Sequence, residues 1–337
     1  MKNRGLLKIL VGICLVLVIA LAGPLMSGCV GDQQAGKVYK IGISQIVTHP
    51  ALDATREGIM QGMADKGYVE GDNVEYDYQN SEGDMSLTAS IAQKFVSDGV
   101  DLIVSIATPN SQAAISAAKG TEIPVVFSAV TDPVGADLVS DWNSHPDELV
   151  TGVSDMVVVS DDVDLILEIV PGLTKLGTLY NAGESNSVFL TEKLNEACDV
   201  LGIDVVEKTV STSADVLAAA QSLVGQVDAI WVGTDNTVVS GLEALIGVCE
   251  DNDIPFFPSD EPSIERGGIA AYGFDYYDIG YQTGEMVARI LGGTSASAIS
   301  VEKGEVISLS VNTAAAMRMG VTIPQALLDS AVTIYEE

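Results

Sequence analysis

Histidine and cysteine are scarce in this chain, and their scarcity removes most metal and thiol chemistry. The two histidines, His49 and His145, and the four cysteines include no Cys-x-x-Cys and no His-x-x-x-His spacing, so no ligand set for a transition metal is assembled. Cys14 and Cys29 fall in the N-terminal stretch, while Cys198 and Cys249 sit in apolar helical patterns that suit buried free thiols better than a disulfide. Basic residues are also few. Sixteen Lys and Arg stand against 47 Asp and Glu, a formal net charge of −31. Such a surface repels nucleic-acid phosphates and suits a protein working outside the cytoplasm or in a salt-adapted host. The motifs of common enzymes are missing as well. There is no Gly-x-Ser-x-Gly elbow and no Gly-x-x-x-x-Gly-Lys-Ser/Thr loop, and Gly42-Ile43-Ser44-Gln45 stands where a dinucleotide fingerprint would follow a first strand. Neither histidine has a paired nucleophile, so no catalytic set and no cofactor is expected.

What the chain does have begins with an export signal. Lys2, Arg4 and Lys8 form a basic head, and Ile9 to Ala22 an apolar run too short for a comfortable membrane span. Leu25-Met26-Ser27-Gly28-Cys29 follows, small residues leading to a cysteine whose sulfur is placed to carry a diacylglycerol. The expected processing leaves residues 1–28 as a lipoprotein signal peptide and 29–37 as a tether from a lipidated Cys29. An uncleaved anchor would hold the same domain outside the cell. Removing the three basic residues makes the remaining chain more acidic still.

From Lys40 onward, short β-branched runs alternate with longer amphipathic ones, the pattern of parallel strands joined by crossover helices. Strands are expected at 39–46, 73–79, 101–106 and 124–128, with helices at 50–63, at 87–96 and from Pro109. A second series follows Thr151-Gly152-Val153, with strands at 176–181, 204–208, 229–232, 256–258, 269–274 and 304–311 and a long amphipathic helix at 277–291. Two such series exceed what one core usually organises. The fold class read from this order is α/β, with two doubly wound parallel-sheet lobes.

In open parallel sheets, ligands gather beyond the carboxyl ends of the strands, where helix N-termini offer unpaired N–H groups. Thr108-Pro109-Asn110-Ser111 and Ser128-Ala129-Val130-Thr131 follow neighbouring strands of the first series with hydroxyls suited to a carboxylate. In the second series Tyr180 to Ser187, Gly233 to Thr237 and Pro258 to Glu261 add amides and carboxylates. A ligand with an anionic and a cationic end would match that sorting. Asp235 and Asp260 are the candidates to meet an ammonium group, and each would serve equally as a helix cap. Tyr180, Tyr272, Tyr276 and Tyr277 could stack on a ligand ring or simply pack, and His49 could face the cleft or cap a helix.

At several of these segments the chain resembles the tryptophan/tyrosine-type substrate-binding proteins of ABC transporters, a branch of the type I periplasmic-binding-protein fold. The matching stretches are Ile43 to Asp53, Thr131-Asp132-Pro133-Val134, Tyr180-Asn181 through Asn186-Ser187, Val232 to Asn236, Pro258-Ser259-Asp260 and Gly273 to Gly280. The resemblance implies a three-segment hinge, with lobe one at 38–152 plus 275–304 and lobe two at 153–274 plus 305–337. It implies a free amino acid, often tryptophan, tyrosine or phenylalanine, in the interlobe cleft. Carried over by position, the ligand-binding residues are Gln45, Thr108, Ser111, Ser128 and Thr131 in lobe one, and Asn186, Asp235 and Asp260 in lobe two. The implied partners are the small-molecule ligand, an ABC permease, and the membrane through the lipid anchor. A ligand-sensing module of the same fold, acting in signalling, is the alternative.

Overall fold

The computed structural model describes residues 36–143 and 149–336. Cys29, the export segment and His145 lie outside the described residues.

The first series builds one sheet. β1 (Tyr39–Gln45) is buried from Ile41 onward and is followed by α1 (Pro50–Asp65), which Pro50 opens because its missing N–H would be unpaired there anyway. β2 (Val74–Asn80), α2 (Met85–Asp98), β3 (Leu102–Ile106), α3 (Thr108–Ala118), β4 (Val125–Ser128) and β5 (Val150–Ser154) complete it. β3, β4 and β5 are buried along their whole length, as strands covered on both faces must be.

The chain then enters a second parallel sheet. α4 (Val159–Ile169) leads to β6 (Lys175–Asn181), α5 (Ser185–Leu201), β7 (Asp204–Val210), α6 (Val216–Leu223), β8 (Ala229–Val232), α7 (Asn236–Ser240), α8 (Leu242–Asp251) and β9 (Phe256–Pro258). Gly241 separates α7 from α8. α9 (Glu261–Arg266), β10 (Ala270–Phe274), α10 (Tyr276–Leu291), β11 (Glu302–Lys303), β12 (Ile307–Asn312), α11 (Thr313–Arg318), α12 (Gln325–Ser330) and β13 (Thr333–Tyr335) end the fold.

The first sheet runs β11-β5-β4-β3-β1-β2 and the second β7-β6-β8-β9, each with parallel neighbours. Strand order reverses between β1 and β3 in one and between β6 and β8 in the other. Crevices open at such reversals, beyond the carboxyl ends of the strands. A third sheet, β10-β12-β13, pairs β10 with β12 antiparallel, an arrangement that the alternating pattern did not signal. The chain passes between the first sheet and the other two after β5, between β10 and α10, and between β11 and β12.

Although α10 follows a strand of the third sheet, it packs on α1 beside the first, through glycines rather than side chains. A Cβ on Gly280 would stand 2.0 Å from the Thr55 carbonyl oxygen, one on Gly58 2.1 Å from that of Tyr277, and those on Gly62 and Gly284 2.3 Å from Tyr281 O and Ile59 O. The two backbones touch, and their N-terminal ends, His49 on one and Tyr276 on the other, reach the same crevice. Cys198 and Cys249 are buried free thiols whose pKa values burial pushes up to about 11 and about 12.

Candidate functional site

The two crevices face each other across one narrow cavity. From the first sheet come His49 ahead of α1, Ala107 and Thr108 after β3, Ala129 and Thr131 after β4, and Asp155 after β5. Asn186, Thr234, Asp235 and Asp260 come from the turns after β6, β8 and β9, and Tyr276 from the head of α10. Ala51, Leu52 and Val239 supply apolar wall.

Local backbone shapes the first-sheet side. Ala107 has φ 74° and ψ 158°, a conformation that L-residues avoid, and Ala129 has φ 54°. Both strands therefore turn sharply as they leave the sheet, and strain of about 1–3 kcal/mol at such a residue persists only where the surroundings hold it. Past Ala107 the first turn of α3 begins at Thr108, which lines the cavity, and no side chain caps that helix end. With the Thr108 and Thr131 hydroxyls this end of the cavity is suited to a carboxylate.

The opposite side is rich in acceptors. Asp235 caps α7: its Oδ1 accepts from Val238 N–H (2.8 Å) and its Oδ2 from Asn181 N–H at the end of β6 (2.6 Å). Burial, aided by the nearby Glu184 carboxylate, pushes its pKa up. Glu184, 1% exposed, itself accepts from Asn236 Nδ2 (2.6 Å) and Thr237 Oγ1 (2.7 Å). Asp260 caps α9, accepting from Ser263 N–H (3.0 Å) and Ser263 Oγ–H (2.8 Å), and burial raises its pKa too. On the first-sheet side, the buried Asp155 carboxylate accepts from Tyr276 Oη–H at Oδ2 (3.0 Å), from Thr131 Oγ1–H at Oδ1 (3.4 Å) and from a backbone N–H, and burial pushes its pKa up to about 6.

Of the residues predicted from sequence, Thr108, Thr131, Asn186, Asp235 and Asp260 line this cavity. Gln45, Ser111 and Ser128 do not. Gln45 Nε2 donates to Val47 O (2.9 Å) and Asp53 Oδ1 (2.8 Å), Ser111 Oγ–H donates to Ala107 O (2.9 Å), and the Ser128 hydroxyl pairs with that of Thr283 on α10 (2.7 Å). Among the tyrosines, Tyr276 lines the cavity, while Tyr180 donates to Glu207 on the surface. Asp155 also lines the cavity but is not among the residues predicted from sequence, because Thr151-Gly152-Val153 reads as the boundary between the two series rather than as part of a strand of the first sheet. The rule of looking just past each strand end would have found it.

The two sides touch. Thr131 Oγ1 lies 3.3 Å from Thr234 Oγ1, His49 Nε2 lies 3.5 Å from Asn236 Oδ1, and Gln112 Nε2 donates to Ser185 Oγ at 3.3 Å. A polar-lined crevice between two sheets is a receptacle for a small molecule. A family model described as ABC transporter substrate binding protein matches residues 40–334. The chain belongs to that family.

This substrate-binding protein is therefore an extracytoplasmic component of a transport system and not an enzyme. It is 41% identical over 276 residues to a tyrosine-binding protein of Clostridioides difficile strain R20291, covering 82% of this chain and 79% of the relative. Its structure matches an ABC domain from Streptococcus pneumoniae in complex with L-Trp with a TM-score of 0.84 at 35% identity, over 88% of this chain and 100% of that one. The ligand-free, open structure of a substrate-binding protein with adhesive properties from Clostridium difficile gives a TM-score of 0.66 at 37% identity, over 89% and 100%. The fold is of the type I periplasmic-binding-protein kind, as the resemblance implied.

Proposed function

We propose that this protein captures a free aromatic amino acid, tryptophan, tyrosine or phenylalanine, and delivers it to the permease of an ABC importer. The observation that carries this reading is the division of the cavity. The uncapped N-terminus of α3 with the Thr108 hydroxyl stands on one side of the cavity, the Asp235 and Asp260 carboxylates stand on the other, and Leu52, Val239 and Tyr276 add apolar wall. A zwitterion with a ring matches that order of groups. The tyrosine-binding and tryptophan-complexed relatives support it. In this reading Thr108 and the head of α3 hold the carboxylate with Thr131 beside them, while Ser111 and Ser128 brace the turns after β3 and β4 and Gln45 braces the turn that carries His49. The lobes are 38–152 with 275–304 and 153–274 with 305–337, and they close on the ligand. At near-equal identity, the higher similarity to the complexed relative than to the open one supports a closed arrangement here.

Calorimetric titration of the ligand-stripped protein with tryptophan, tyrosine, phenylalanine, leucine and glutamate tests the reading. At least one aromatic amino acid is expected to bind about ten-fold or more tighter than leucine or glutamate, a difference of about 1.4 kcal/mol. Binding of leucine or glutamate while all three aromatic residues fail would overturn the ligand assignment.

The same reading makes the protein a lipoprotein anchored through Cys29, supported by Met26-Ser27-Gly28-Cys29 after the apolar run. Cells fed an alkynyl fatty acid are expected to label the wild-type protein and not Cys29→Ala. Equal labelling of the two, or none, would remove the anchor from the proposal.

A further inference from the structure

One buried carboxylate stands behind the cavity wall and holds it from outside. Asp162 lies in the first turn of α4 and is 3% exposed. Its Oδ2 accepts from Ser259 Oγ–H at 2.6 Å and from Trp231 Nε1–H at 3.1 Å, while its Oδ1 is buried with no hydrogen-bond partner. Trp231 belongs to β8, and the turn after that strand carries Thr234 and Asp235 into the cavity lining. Ser259 follows β9, its N–H bonds Val232 O at 3.0 Å, and the next residue, Asp260, lines the cavity. One carboxylate oxygen therefore fixes the two turns that carry Thr234, Asp235 and Asp260, and it does so from the first helix after the chain leaves β5. Asp162, Trp231 and Ser259 lie behind the lining rather than in it.

For the fold alone this is a poor choice of residue. A carboxylate out of water with one oxygen unbonded is disfavoured in its charged form, and a neutral residue of the same shape would suit the interior better. We propose that Asp162 is a positioning residue of the ligand site: in its charged form it clamps Ser259 and Trp231, and protonation slackens the clamp and lowers ligand affinity. Hydrogen bonds to an ionised acceptor are roughly twice as strong as those to a neutral one. Gaining the proton therefore loosens both partners without removing a contact. This inference rests on the amino-acid reading above for its probe ligand.

The surroundings set the pH window. Burial pushes the Asp162 pKa up to about 7, against the lowering effect of the Ser259 and Trp231 bonds, and the exposed Asp161 beside it raises it further. Tyr272 on β10, raised by burial and then by Glu168, Asp161 and Asp162, keeps its proton. On α5, which packs on α4, the buried ionisable group is Cys198, pushed up to about 11 by burial. Asp260, beside Ser259, is raised by burial as well. The folded pKa of Asp162 lies above that of the unfolded chain, so its proton favours the fold fully below about pH 4, and that advantage is lost as pH rises toward 7. Affinity moves the other way, because the clamp is tight only after the proton leaves.

The test compares wild type with Asp162→Asn, which keeps an acceptor for both donors and cannot take on charge, using the full chain in detergent micelles, stripped of ligand. By circular dichroism the variant is expected to melt higher than wild type at pH 8, with most of the difference gone at pH 5. Calorimetric titration with L-tyrosine and L-tryptophan is expected to show the variant binding about three-fold to ten-fold weaker at pH 8 and within about two-fold of wild type at pH 5.5. Asp155, Asp235 and Asp260 titrate in both proteins, so the difference between the two belongs to Asp162. A third readout needs no ligand. The chain has two tryptophans, and in a Trp142→Phe background the emission of Trp231 is expected to titrate with a midpoint near pH 7 that Asp162→Asn abolishes. Ser259→Ala removes a donor that lowers the Asp162 pKa and is expected to move that midpoint upward. These emission measurements decide the matter if Asp162→Asn fails to fold. Loss of stability and affinity together at every pH in Asp162→Asn would make Asp162 a structural group only, and Trp231 emission flat from pH 5.5 to 8.5 would remove its titration. Either result overturns this inference and leaves the ligand reading intact. If wild type binds no aromatic amino acid, the ligand reading fails by itself, and the clamp then stands or falls on the emission and melting of the same variants.

Discussion

Gly280→Ala is expected to destabilise the protein by about 3 kcal/mol or more, a fall of roughly 6–12 °C in melting temperature. The added Cβ would stand 2.0 Å from the Thr55 carbonyl oxygen, and that oxygen belongs to helix backbone, so no side-chain rotation relieves the overlap. α1 and α10 would have to separate, and every buried contact along the pair would loosen with them. Gly58→Ala, Gly62→Ala and Gly284→Ala meet the same obstacle at 2.1 to 2.3 Å. Because one separation relieves all four sites, a double variant such as Gly58→Ala with Gly280→Ala should cost less than the sum of its parts. Gly247→Ala in α8 is the control. Nothing lies within 4 Å of its added Cβ, and an alanine in a helix interior is expected to stabilise by about 0.5–1 kcal/mol. Thermal unfolding followed by circular dichroism reads all of these. A Gly280→Ala melting temperature within about 1 °C of wild type would mean that the two helices do not lie in backbone contact. The separation also has a functional reading, since Tyr276 begins α10 and His49 precedes α1, and a shift between these helices changes the spacing of their polar atoms at the cavity.

Asp235→Ala is expected to cost about 3–5 kcal/mol of stability while leaving affinity for a bound amino acid within about three-fold of wild type in the folded fraction. Its two oxygens receive Val238 N–H at the head of α7 and Asn181 N–H at the end of β6, so the substitution strands two buried donors at once. Each buried donor left without a partner costs about 1–3 kcal/mol. The link between β6 and α7 is also lost, and with it part of what holds the Thr234 and Asn236 turn. Asp235→Asn retains one good acceptor and should fall between. Denaturant unfolding gives the stability, and calorimetry at a temperature well below unfolding gives the affinity. A hundred-fold loss of affinity with unchanged stability would restore Asp235 as the group that meets the ammonium.

The order of strands and helices was legible in the sequence because it is written in local periodicity. Apolar alternation over a few residues, Pro50 at a helix start and glycines at helix ends act within one turn or one strand, and they need no knowledge of what lies across the molecule. The position of the cavity followed from the same source, since Thr108, Thr131, Asn186, Asp235 and Asp260 all stand just past strand ends. What only the tertiary structure decided was the role of each polar group. Asp155, Asp235 and Asp260 are the same residue type in the same kind of position, and what each one holds depends on which donors approach from elsewhere. Asn181, 54 residues away, claims one oxygen of Asp235. Tyr276, 121 residues away, donates its hydroxyl to Asp155. The glycine contact between α1 and α10 is of the same kind: Gly58, Gly62, Gly280 and Gly284 weaken their own helices when read locally, and only the approach of the two backbones explains them. Local physics determined the elements and the rim on which the cavity stands, while long-range approach of backbone and hydroxyl donors determined what each carboxylate holds.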